Sequence, residues 1–372
     1  NAVGAGGLAG TASGGFFVVS SGTALHVDTV GGVAGITSQG ATILTAGAGS
    51  ITQSATGTVA AGGGLGVRAD GGDVVLDQAN AVAGNFFASA VNGSVTFHNS
   101  GAVNVGAVSA ATVSAGLVQG NGITASIAAG SFVSLRSDSG TIGQDAAAAA
   151  RIVGGELRAV TSSRDVTLVN TSNELEAVGN SNLGDGKLTV FDSTGGLTLS
   201  APVIADGGVI LTTQGAFTLP GSIVVAHGDI SLTSLTAGIS LGSTLSAVNG
   251  QVQLVAGGSG AITQLGGTIT ARSLIVRAPG DIELTQAGND TGVIAGASAA
   301  GTFRYRDATA VTIGALTGTG GGVTGVSASG KDITIVAGAG GAAGGIAVNA
   351  IVNASSGTVR LQTSQGDITQ AT

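Results

Sequence analysis

The chain has 372 residues, 69 of them Gly, with 43% hydrophobic residues, 3% aromatics and no Cys, Met or Trp. Twelve Lys and Arg against twenty Asp and Glu give a net charge of −8, which argues against nucleic acid or an anionic membrane as partner. The absence of Cys removes disulfide and thiol chemistry. A mean hydropathy of +0.50, carried by Val, Ile, Leu and Ala with frequent Thr, reads as strand rather than as helix or disorder.

The first third of the chain, to about Ala150, carries apolar starts at Val74, Val95, Val113 and Val133, and a run of small residues at Ala146–Ala150 that reads as a corner. From there the pattern sharpens. Val166-Thr167-Leu168, Leu188-Thr189-Val190, Val209-Ile210-Leu211, Ile230-Ser231-Leu232, Val252-Gln253-Leu254 and Leu274-Ile275-Val276 are apolar-x-apolar triplets at steps of 21 or 22 residues. A second register starts at Leu197, Phe217, Ile239, Ile262, Ile282 and Phe303 and is expected to continue at Val323, Ile346 and Ile368. A third starts at Val203, Ile223, Leu245 and Ile269.

Three short strands per repeat of about 21–22 residues predict an all-β, right-handed parallel β-helix (β-solenoid) with three strands per turn. At that period the 372 residues make about 17 turns, a rod of roughly 80 Å at about 4.8 Å per turn. In each triplet the outer two side chains face in and the middle one faces out. Corners are marked by Asp185-Gly186, Asp206-Gly207, His227-Gly228 and Asn249-Gly250, where Gly allows a sharp turn or a close backbone approach. The stretch Ile230–Ala271 has no charged residue, but Ser, Thr, Asn, Gln and Gly break it repeatedly, so no membrane-spanning helix is expected. The apolar runs are also shorter than the roughly 9–11 residues of a membrane barrel strand.

A longer period lies above the turn. Ile51-Thr52-Gln53, Ile142-Gly143-Gln144, Ile262-Thr263-Gln264 and Ile368-Thr369-Gln370 each end a Gly-x-Ile-x-Gln phrase. No domain boundary is visible, so residues 1–372 read as one continuous solenoid. The chain opens on Asn1 and closes within the repeat, which reads as a segment of a longer or polymerising protein.

These phrases, with Gly228-Asp229-Ile230, Gly280-Asp281-Ile282 and Gly301-Thr302-Phe303-Arg304-Tyr305-Arg306-Asp307, resemble the repeats of filamentous-haemagglutinin-type exoproteins, bacterial adhesins of the two-partner secretion class. The likeness is one of repeat style over most of the chain. It implies a secreted or cell-surface protein used in adhesion, biofilm matrix or a surface filament. The secretion domain of that family, with its Asn-Pro-Asn-type motifs, is not in this sequence.

Few residues suggest chemistry. Polysaccharide-acting β-helices need convergent carboxylates on one face, and the acids here are scattered. Asp185 and Asp206 fall on consecutive corners with Asp229 displaced by two positions, a weak Ca²⁺ candidate set against the simpler reading of a polar corner ladder. His26, His98 and His227 stand apart from one another and have no Cys partner. Gly4-Ala5-Gly6 and Gly338-Ala339-Gly340 are chance likenesses of nucleotide loops in so Gly-rich a chain. Arg304 and Arg306 flank Tyr305, the only Tyr, and are candidates for a surface contact. Thr198, Thr218, Ser240 and Thr263 form an outward hydroxyl row that reads as a sheet-stabilising ladder. The expectation is a non-enzymatic extracellular structural or adhesive rod without a cofactor. Its expected partners are copies of itself, end to end or laterally, or surface glycans and proteins. The alternatives are a polysaccharide-binding or polysaccharide-degrading β-helix, and a fibre subunit stacking end to end.

Overall fold

A computed structural model describes residues 7–90, 92–108, 126–147, 150–225 and 227–371. Val113, Gly4-Ala5-Gly6 and residues 148–149 of the small-residue corner lie outside the described residues. The chain is all-β, and its strands stack in parallel as a β-solenoid of about 15 turns. It divides into two compact units, Asn1–Ala177 with Ser181–Ser193, and Val178–Asn180 with Thr194–Thr372.

The second unit carries the three registers as three ladders. Val209, Ile230, Val252, Leu274 and Ile294 stack on one another in the first. Leu197, Phe217, Ile239, Ile262, Ile282 and Phe303 form the second. Val203, Ile223, Leu245 and Ile269 form the third. All of these side chains are buried, as are the outer members of the triplets, so each turn covers the apolar face of the one before it. The middle residues Thr198, Thr218, Ser240 and Thr263 stack as the outward row, continued by Glu283, Arg304 and Thr334.

The first unit repeats the scheme. Leu25, Ile51, Val74, Val95, Val133 and Leu157 form one ladder, and Val103, Ile142, Val166 and Leu188 another. Inside it Phe86 stacks on Phe97, with ring centroids 3.8 Å apart and planes at 9°.

The turns number about 15 rather than 17 because residues leave the winding. Val95 pairs directly with Val133, 38 residues on, rather than at the turn period. Among the described residues two antiparallel hairpins stand outside the sheet. Thr29–Val30 pairs with Val33–Ala34 across Gly31-Gly32, and Ala315–Gly318 pairs with Gly321–Thr324. Gly31 and Gly32 both have positive φ, 59° and 83°, as a two-residue hairpin turn requires. The second hairpin also shifts the expected register. Phe303 is followed in its ladder by Ile333 and then Val359, while Val323 lies in the hairpin. Ile346 and Ile368 belong to a different ladder, under Val311.

Both hairpins are bridged at their bases. Gly35 N–H donates to Asp28 C=O at 2.9 Å, and Gly325 N–H to Gly314 C=O at 2.8 Å. The larger hairpin lies on the outward side of the first ladder. There Gln253 Nε2 donates to Thr319 C=O at 2.5 Å, and Arg277 donates to the carbonyls of Thr319 and Gly321 at 3.5 and 2.5 Å. This explains Ile275, a middle residue that is apolar. It faces outward as its position dictates, yet it is buried. Phe87 in the first unit is likewise an outward residue, buried in a cluster with Ala41 and Val108.

Candidate functional site

The corner carboxylates act first on the backbone. Asp73, Asp165, Asp229, Asp281 and Asp332 each accept, through Oδ1, the N–H of a residue one turn on: Ser94, Lys187, Gln251, Thr302 and Thr358, at 2.7–2.9 Å. A strand entering from a corner has a first N–H with no ladder acceptor, and a carboxylate below it supplies one. These five acids are scattered in the sequence because each caps a strand one turn beyond its own corner.

The three candidate carboxylates sit on corners. Asp185 lies in the first unit, where its backbone N–H donates to Ser163 Oγ at 3.4 Å. In the second unit Asp206 faces His227 Nδ1 at 3.8 Å, and Asp229 caps Gln251. Among the described residues no three His, Cys, Asp or Glu side chains come together as a metal site. Of the corner glycines, Gly186 packs against the Arg164 carbonyl, Gly228 against Gly207, and Gly250 against the Gly228 carbonyl. At Gly250 a Cβ would run into that carbonyl, so the residue is required there by close approach between turns.

His26 Nδ1 meets Thr52 Oγ1 at 2.8 Å, one turn on. His98 bridges Asp77 C=O, 3.0 Å from Nδ1, and Asp138 Oδ2, 2.8 Å from Nε2. Burial raises the Asp138 carboxyl, but the hydrogen bonds from His98 and Arg136 outweigh it and hold the group below its ordinary value. Arg304 forms an ion pair with Glu283, its neighbour in the ladder, at 3.4 Å, and Arg306 is half-buried. Phe303 and Tyr305 point inward and are buried.

The most elaborate polar chemistry is inside the solenoid. Gln53 pairs with Asn80, Gln144 with Asn173 and Gln264 with Asn289, at sequence separations of 27, 29 and 25. Each pair is reciprocal: the Gln Nε2 donates to the Asn Oδ1 at 2.6–3.0 Å, and the Asn Nδ2 donates back to the Gln Oε1 at 2.9–3.2 Å. The same Asn Oδ1 accepts a strand N–H, from Val59, Ile152 or Ile269, at 2.8–2.9 Å. One turn further, Asn99, Asp192 and Asp307 repeat the service for the N–H groups of Val82, Leu175 and Thr291, each at 2.9 Å. In these places a side-chain oxygen replaces a missing ladder carbonyl where the chain bends away, as at the shift of register between Leu76 and Asn80.

The third copy is the most polar. Asp307 Oδ2 also accepts the Tyr305 hydroxyl at 2.6 Å, and that hydroxyl lies 2.7 Å from Thr291 Oγ1. Burial pushes the Asp307 carboxyl up, with the bonds from Tyr305, Thr309 and Thr291 offsetting part of it, and burial drives the Tyr305 phenol well above its ordinary value. Among the described residues every buried side-chain polar atom has a partner.

The Gln members belong to three of the four Gly-x-Ile-x-Gln phrases, so the longer period in the sequence marks these pairs, while Gln370 of the fourth phrase is exposed. Their Asn partners went unrecognised because each lies a full turn away, with no common local phrase. The chain matches no known protein family, no curated protein and no solved structure.

Proposed function

We propose that the chain is a structural and adhesive segment of a bacterial secreted or cell-surface protein, without catalytic activity of its own. The observation that carries this reading is the use made of its polar residues. Corner carboxylates cap the next turn, internal carboxamides complete broken ladders, and Arg304 is paired with Glu283. An enzyme of this architecture would instead spend carboxylates on a shared cleft.

Adhesion tests the proposal. Beads coated with the chain are expected to be retained under flow on bacterial or epithelial cell layers more than albumin-coated beads are. Retention equal to albumin, or shortening of neutral or acidic polysaccharides by the purified chain, would overturn it.

A further inference from the structure

The hairpin Ala315–Thr324 is not needed for winding, because its base is already closed by Gly325 N–H and Gly314 C=O. What it adds on one side is a wall. Between its first strand and the corner of the preceding turns lies a groove of about 350 Å³, at the small end of the range of about 300–1,000 Å³ for small-molecule sites. The floor is a stacked row, Gln251 on Ser273 on Val293. Leu316 stands on the hairpin side, and Asp229 and Arg272 on the corner side.

Its chemistry is specific in kind. Asp229 uses Oδ1 on the Gln251 N–H and keeps Oδ2 as an acceptor. Gln251 gives one Nε2 hydrogen to Ser273 Oγ at 3.3 Å and keeps its second N–H. Arg272 is exposed, forms no ion pair among the described residues, and offers a planar set of donors. One carboxylate and one guanidinium cancel, so the groove selects for neither an anion nor a cation. Alternating donors and acceptors beside the aliphatic Val293 and Leu316 match a molecule with hydroxyls on its edge and C–H groups on its face.

We propose that this groove binds a neutral, hydroxyl-rich saccharide of one or two rings, with Arg272, Gln251 and Asp229 reading the hydroxyls and the hairpin closing one side. The site stands independently of the adhesive reading, since a chain could bind a sugar here without holding a cell to a surface. The test is titration calorimetry and saturation-transfer NMR on the intact chain with three neutral probes, maltotetraose, chitotetraose and mannotetraose, against an anionic probe, tetragalacturonate. At least one neutral probe is expected to bind, with R272A and Q251A each weakening it at least tenfold and removal of residues 315–324 abolishing it. T198A, on a different ladder, is expected to leave binding unchanged, and circular dichroism melts check that each variant is folded. Failure of all three neutral probes at millimolar concentration would overturn the proposal. So would tighter binding of tetragalacturonate, or affinity indifferent to R272A and to loss of the hairpin.

Discussion

Replacement of Asn289 by Ala isolates the role of the internal carboxamides. Asn289 is fully buried. Its Oδ1 holds the Ile269 N–H at 2.9 Å and the Gln264 carboxamide at 2.8 Å, and its Nδ2 holds Gln264 Oε1 at 2.9 Å. Truncation leaves the Ile269 N–H without an acceptor inside an apolar stack, and leaves Gln264 only long contacts, to Gly267 C=O at 3.3 Å and from the Gln286 N–H at 3.5 Å. An orphaned buried donor costs about 1–3 kcal/mol, and the Gln264 amide adds a comparable amount, so the expected loss is about 2–6 kcal/mol. In a solenoid this loss is felt by neighbouring turns rather than by the whole chain. Native-state hydrogen exchange therefore measures it best, with the amides of Ile269 and Thr270 expected to exchange roughly 10–10⁴ times faster and those around Asn80 unchanged. A cycle with Gln264→Ala is expected to show a coupling of about 0.5–3 kcal/mol. Exchange at Ile269 accelerated less than threefold would refute the idea that these amides replace missing ladder carbonyls.

Four further outcomes are expected. Val252→Asp places a carboxylate at a fully buried position between Ile230 and Leu274, and is expected to abolish the cooperative melt of the surrounding turns; a melting temperature equal to the parent's would contradict the inward assignment. Excision of residues 29–34, all exposed or nearly so, is expected to change stability by less than about 0.5 kcal/mol. Excision of residues 315–324 uncovers Ile275 and is expected to cost about 1.5–3 kcal/mol in urea denaturation, recovered in part by Ile275→Thr. Asp138 titrates below its ordinary value of 3.8 in the folded chain, so its stabilising contribution is complete above that value and is lost as pH falls through the lower, folded-state value. The parent is thus expected to exceed D138N in stability at pH 6 by less than about 1 kcal/mol, its side chain being 38% exposed, and to converge with it near pH 2; a gap that widens on acidification would reverse the assigned sign.

The winding was legible in the sequence because its cause is local. A three-residue strand buries its ends and exposes its middle, so Val252-Gln253-Leu254 announces itself without reference to any distant residue. The hairpins were less visible, although Val30-Gly31-Gly32-Val33 is a strong two-residue turn phrase, because Gly is already frequent at the corners. Ile275 looked like any other triplet centre, and only the chain of residues 315–324 folding back over it accounts for an apolar side chain there. The groove beside that hairpin was out of reach for the same reason. Asp229 had been singled out for its place on a corner, whereas Arg272, Ser273 and Leu316 join it only through tertiary folding.

The bridged bases of the two hairpins carry a consequence for variation. Where Asp28 and Gly35, or Gly314 and Gly325, already close the gap by a backbone hydrogen bond, the residues looped out between them are not needed to join the strands on either side, although those of the larger hairpin still cover Ile275 and bond to Gln253 and Arg277. Such ports let a lineage rewrite what it presents to its surroundings, in length as well as in composition, while the apolar stack beneath stays untouched. For an engineer the smaller of them is a site at which a foreign peptide can be displayed without redesigning the scaffold that carries it.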